Sequence, residues 1–333
     1  MSNNPSYKST VYACYLGHFV LASVINTTPI LFLTLMNRYG LSFEQMGRLV
    51  LINFVTQVTV DLAASRFVDK HGLWSFIVGA QLLAFAGFVL FAGAPFLFGN
   101  VYAGFVLATV VFSAGGGLLE LLLSPIVNAI PTQEKARAMS LLHAFYAWGQ
   151  VTVVLLTSAL LTVLGPARWV LIPLFWSLLP LANTVLFAKV PLAPVIEEAR
   201  RTKLKDLLRQ KVFLVCLAGI LVSGAAEITM AQWASGFLEE AMRIPKIIGD
   251  SAGVGVFALA IGIGRTVYGK MGARMNIQKA MTAGAGLTLV CYVVVVFSNV
   301  PALSLAACAL SGFGVSLLWP GSLVLAAERF PLA

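Results

Sequence analysis

Long apolar runs alternate with short polar breaks along almost the whole chain. A run of about 20 apolar residues is long enough to cross a bilayer as a helix. Ten such runs are present, at roughly 11–36, 45–67, 74–93, 99–128, 139–164, 168–188, 212–238, 251–270, 279–298 and 302–326. The few polar side chains inside them fall at helical spacing. Asn53, Gln57 and Asp61 are spaced i, i+4, i+8, as are Glu120, Ser124 and Asn128. His143, Tyr146 and Gln150 share a face, and Ser223 shares one with Glu227, followed by Gln232 and Trp233. Each set puts one polar stripe on an otherwise apolar helix. The first run carries Ser23, Asn26, Thr27 and Thr34 near one face. Its hydroxyls are as readily satisfied by their own helix backbone as by a solute; Asn26, a midspan amide, is the stronger solute contact.

Composition fixes the class. Apolar residues make up 59% of the 333-residue chain and charged residues 11%, against about 45–50% and about 25% in soluble domains. The mean hydropathy is +0.91. This predicts an all-α integral membrane protein. With the N-terminus inside, 17 of the 22 Lys and Arg residues fall on the inner side and five on the outer side. That bias predicts a multi-pass protein of the cell (inner) membrane with a cytoplasmic N-terminus. The net charge of +9 then implies membrane lipid as partner, and no nucleic acid. Residues 189–211 hold Pro191, Pro194 and seven basic residues. They read as a cytoplasmic linker with an amphipathic helix, between an N-terminal six-helix bundle (1–188) and a C-terminal bundle (212–333). The four cysteines lie in apolar runs without metal-site spacing, and no phosphate loop or nucleophile motif is present, so neither an enzyme nor a cofactor is expected.

Glu120 is the centre of the functional reading. A charge at the bilayer midplane costs at least ~2.5–3.5 kcal/mol, so such residues usually face a wet cavity. Gly115, Gly116 and Gly117, just before it, allow close approach of another helix. Pro125, just after, can bend the helix. The alternative is a protonated Glu buried in packing.

Two motifs carry a resemblance. Asp69, Lys70 and Gly72, with Ser65 in place of a first glycine, resemble the loop between spans two and three of the major facilitator superfamily. There the loop closes the cytoplasmic side through charge pairs and a helix N-terminus. Gly115, Gly117, Glu120, Ser124 and Pro125, with the 139–150 segment that follows, resemble spans four and five of the fucose–galactose–glucose:proton symporter family. The resemblance implies two pseudo-symmetric helix bundles with a central site near midplane, and sugar and proton handling at Glu120. It also implies a proton as coupling ion and a monomer. His143 is then either a proton relay or a hydrogen-bonded packing residue. Fucose-type members carry a second acid in span one, where this chain has only Asn26. Another acid must take its place, and Glu227 is a candidate.

The second half echoes the first. Arg265 falls where Asp61 stands, Arg274 closes the matching loop, and Ser311, Gly312, Gly314 and Pro320 echo Ser113 to Pro125. Asp61 and Arg265 either meet or serve only their own loops. The repeat predicts twelve spans and ten are present, so the expectation is a fragment or a shortened copy. The sequence thus predicts a secondary active transporter for a sugar or similar small polar solute. The alternatives are an efflux pump for drugs or metabolites and a non-transporting truncated copy.

Overall fold

The computed structural model describes residues 7–65, 67–68, 72–131, 135–193, 204–271 and 276–330. The chain divides into two compact units, Met1–Val195 and Ile196–Ala333.

The first unit holds six helices: α1 (Lys8–Tyr39), α2 (Phe43–Ala64), α3 (Leu73–Leu97), α4 (Val101–Ala129), α5 (Lys135–Leu164) and α6 (Leu171–Phe187). Local chemistry sets their ends. Gly40, in the left-handed conformation, stops α1. Ser42 and Gln45 form a reciprocal capping box that starts α2. Gly72, at φ 86°, precedes α3 at an angle that favours glycine. Asn100 accepts a bond from the Ala103 N–H to open α4. The sixth span is shorter than its apolar run: Gly165, at φ 77°, lies just before the run, and the helix begins only at Leu171. A 3₁₀ turn, Pro166–Arg168, follows that glycine, so α6 has only 17 residues.

In this unit α1 is the centre. Every residue of 20–35 is buried, and α1 packs on α2, α4, α5 and α6. Glycines let α4 come close to three neighbours. A Cβ at Gly115 would lie 2.5 Å from the Ala80 carbonyl oxygen of α3, and one at Gly117 2.5 Å from the Gln57 carbonyl oxygen of α2. One at Gly116 would press on Val24 of α1 at 3.2 Å. In α2 the pattern is inverted relative to a soluble helix. Leu51, Val55, Val58 and Leu62 are exposed, while Asn53 and Gln57 are buried. An apolar face turned outward suits lipid, and the amides find partners inside.

The second unit holds α7 (Lys211–Gly236), α8 (Val256–Met271), α9 (Ile277–Phe297), α10 (Pro301–Val315) and α11 (Leu318–Arg329), after a single turn at Leu204–Leu207. π-helical turns at Phe237–Ala241 and Gly249–Gly255 join α7 to α8. The tenth apolar run is not one helix; it breaks at Ser316 and Leu317. Pro320 sits in the first turn of α11 and has no N–H to offer the carbonyl four residues back, that of Ser316. As in the first unit, glycines carry the contacts: Gly312 lies against the Phe257 backbone and Gly314 against Gly284 and Thr288.

Among the described residues, nine helical stretches are long and apolar enough to cross a membrane, counting Lys246–Tyr268 with its π-helical turn and Pro301–Ser322 across its break, and α6 is a shorter apolar helix. The protein is a multi-pass all-helical membrane protein.

Candidate functional site

The two polar stripes of α2 and α4 meet. Asn53 Oδ1 accepts hydrogen bonds from Gln57 Nε2 (2.5 Å) and from Ser113 Oγ of α4 (3.0 Å), and Asn53 Nδ2 donates to the Val24 carbonyl at 3.5 Å. These bonds satisfy the buried amides and pin α2 to α4 and α1. The two helices run in the same direction. Tyr102 OH donates to the Gln45 carbonyl near their start, Ser113 meets Asn53, and Gly117 meets Gln57 further on. One turn beyond that last contact stand Asp61 on α2 and Glu120 on α4. Asp61 is half-buried and Glu120 exposed.

Beyond Glu120 the stripe continues outward-facing: Ser124 is half-buried, Pro125 and Asn128 exposed. Pro125 lies inside α4, which continues to Ala129. The exposed end of this helix is therefore polar, whereas its first half exposes Leu107 and Val110.

On α5, His143 and Tyr146 are half-buried and Gln150 is buried. The His143 ring centroid lies 5.4 Å from that of His18 on α1, and Tyr146 stands 6.3 Å from His18, edge to face. Gly149 admits this approach, since a Cβ there would lie 2.9 Å from Ala22 Cβ. His18 is only 3% exposed. Sequence reasoning passed over it because no polar residue accompanies it at i±4; only tertiary packing shows that it faces a second histidine. Asn26 is buried, and its Nδ2 donates to the Ala22 carbonyl of its own helix at 2.9 Å.

In the second unit Glu227 and Arg265 are joined. Arg265 Nη2 donates to Glu227 Oε1 (2.8 Å) and Oε2 (2.7 Å), and Arg265 Nε donates to the Ser316 carbonyl at 3.2 Å. That carbonyl is the one Pro320 cannot bond, so the break in the tenth span supplies the guanidinium with an acceptor. The carboxylate partner of Arg265 is thus Glu227 of its own unit, while Asp61 has no ion-pair partner among the described residues. Gln232 is buried and Trp233 half-buried on the same helix as Glu227. Asp69, Lys70 and Arg274 lie outside the described residues.

A second ionic group was missed by sequence reasoning. Lys246 Nζ lies 3.3 Å from Asp250 Oδ2, 3.4 Å from Glu239 Oε2 and 3.0 Å from Ser235 Oγ. The i, i+4 spacing of Lys246 and Asp250 was its only readable signal. Among the described residues no three His, Cys, Asp or Glu side chains converge as a metal set.

Comparison with known proteins bears on the family and the fold. The family model of the Major Facilitator Superfamily matches residues 14–333. No curated protein matches the sequence. Among solved structures, a D-xylose–proton symporter shares 15% identity at a TM-score of 0.78, over 98% of this chain and 84% of that one. The fucose:proton symporter of E. coli shares 16% identity at a TM-score of 0.67, over 97% and 85%. The xylose transporter of E. coli, partially occluded and inward open, shares 12% identity at a TM-score of 0.75, over 98% and 88%.

Proposed function

The chain belongs to the Major Facilitator Superfamily, and from that premise we propose that it is a proton-coupled secondary transporter for the uptake of a sugar or similar small polar solute. It works by alternating access, exposing its solute site to one side of the membrane and then the other. One observation carries the reading: Glu120 is an exposed carboxylate at the head of a polar stripe on a helix long and apolar enough to cross a membrane. Such a group is retained where a hydrophilic cargo or a proton reaches it. Ser124 and Asn128 offer hydroxyl and amide groups for solute hydroxyls on the same face. The similar structures are of proton symporters for D-xylose and fucose, which favours a proton as coupling ion and a sugar as solute. The protein acts as a monomer in the cell's inner membrane, with its N-terminus in the cytoplasm.

The test is uptake by proteoliposomes holding the full chain. Radiolabelled xylose and fucose are offered with an imposed inward proton gradient. Accumulation that collapses on addition of a protonophore is expected. Accumulation that ignores the gradient removes the coupling. If neither sugar enters while amphipathic drugs are exchanged, the protein is an efflux pump.

A further inference from the structure

The ionic group at the corner between α7 and α8 is incompletely satisfied. Lys246 Nζ donates to Ser235 Oγ at 3.0 Å and lies 3.3 Å from Asp250 Oδ2 and 3.4 Å from Glu239 Oε2. Neither of those carboxylate oxygens receives a hydrogen bond, and Asp250 Oδ1 has no partner at all. Asp250 is fully buried. A buried carboxylate ordinarily has its lone pairs met by donors or by a cation. One ammonium facing two carboxylates also leaves the group one positive charge short, in a place poor in water.

A second unmet group stands level with Asp250 on the neighbouring helix. Ser304, on α10, is fully buried, and its hydroxyl has no hydrogen-bond partner. The π-helical turn that holds Asp250 packs on α10. Gly253 approaches Leu305, Gly312 lies against Phe257, and Gly264 approaches Ser316. These contacts climb together, so the two segments run in the same direction and Ser304 comes level with Asp250. Ser304, Cys308 and Gly312 are spaced i, i+4, i+8, which puts Ser304 on the face that Gly312 sets against Phe257. Gly253, one turn after Asp250, and Phe257, one turn further, are where this segment meets α10.

We propose that this corner binds one alkali cation, held by Asp250 and Ser304 with Glu239 beside them. Carboxylate and hydroxyl oxygens are hard ligands, suited to ions that carry no covalent preference. The charge selects a monovalent ion: one positive charge balances the group, whereas a divalent ion would leave a surplus beside the Lys246 ammonium. Bound there, the cation ties α10 to the π-helical turn and stiffens the α7–α8 corner. The site lies wholly within the second unit, and the inference does not rest on the transport reading.

The experiment uses the full chain in detergent with any purification tag removed and no solute. Unfolding midpoints are compared in sodium, potassium and choline chloride at equal concentration, so that ionic strength is constant. A midpoint that rises and saturates with sodium or potassium, and does not rise with choline, is expected. Radiolabelled sodium, or rubidium if potassium is the effective ion, then gives the affinity and one ion per chain. Asp250→Asn and Ser304→Ala are each expected to weaken that binding at least about tenfold. Ser304→Ala also separates ligation from a merely structural role. It removes a hydroxyl that makes no hydrogen bond, so its midpoint in choline should match or exceed that of the wild type while its response to the cation is lost. Equal midpoints in all three salts overturn the proposal, as does ion binding as tight in Ser304→Ala as in the wild type. If Asp250→Asn does not fold, Ser304→Ala decides alone.

Discussion

Arg265 Nη2 bridges both carboxylate oxygens of Glu227, at 2.8 and 2.7 Å, inside an apolar helix bundle. Both side chains are nearly buried, at 12% and 9% exposure. The guanidinium is fixed on its other side by the Ser316 carbonyl. Burying two charges is costly, and the pair persists because each neutralises the other and its hydrogen bonds are met.

Removing one partner is expected to be worse than removing both. Arg265→Met leaves Glu227 buried and unpaired, which should cost about 3–5 kcal/mol of stability. The double variant Arg265→Met, Glu227→Met should recover most of that loss. Thermal unfolding of the three variants in detergent gives the cycle, and a double variant no more stable than either single one refutes it.

Gly117 is the second test. A Cβ there would meet the Gln57 carbonyl oxygen at 2.5 Å, and Gln57 Cα at 2.9 Å. Both are backbone atoms and cannot swing aside. Gly117→Ala is therefore expected to destabilise by about 1–3 kcal/mol, the range for overpacking. Gly79→Ala, where a Cβ meets nothing within 4 Å, is the control and should leave the unfolding temperature unchanged or slightly raised, since alanine is the better helix former.

The Asn53 amide accepts two hydrogen bonds from buried or nearly buried donors. Asn53→Ala strands both Gln57 Nε2 and Ser113 Oγ, which should cost about 1–3 kcal/mol for each group left unsatisfied. Ser113→Ala removes only a donor and leaves Asn53 bonded to Gln57, so it should cost less. The order of the two unfolding temperatures checks this.

Glu120 separates coupling from solute binding. Glu120→Gln keeps the shape and hydrogen-bonding capacity of the side chain but carries no exchangeable charge. Proton-driven uptake is expected to vanish, while solute counterflow, which needs no net proton movement, continues. Undiminished driven uptake in this variant would remove Glu120 from the mechanism.

The sequence by itself determined what depends on the periodicity of one helix and on the cost of polar groups in lipid. The apolar runs, the polar stripes at i, i+4, i+8, and the glycines before Glu120 are one-dimensional signals, because a helix repeats every 3.6 residues whatever surrounds it. Family membership followed from the motifs those stripes carry, and the structure bears out the helical spans. Where the apolar runs misled, local geometry was the reason: the 3₁₀ turn at Pro166–Arg168 delays the start of the sixth span, and Pro320 breaks the tenth. Only the tertiary structure decided partners. That Gly115, Gly116 and Gly117 address three different helices, that His18 faces His143, and that Arg265 closes on Glu227 are properties of pairs of helices. So is the meeting of Asn53 with Ser113. The stripe on one helix fixes which residues share a face, but not which neighbour that face meets; that is set by where backbones can approach, and here the glycines of α4 set it.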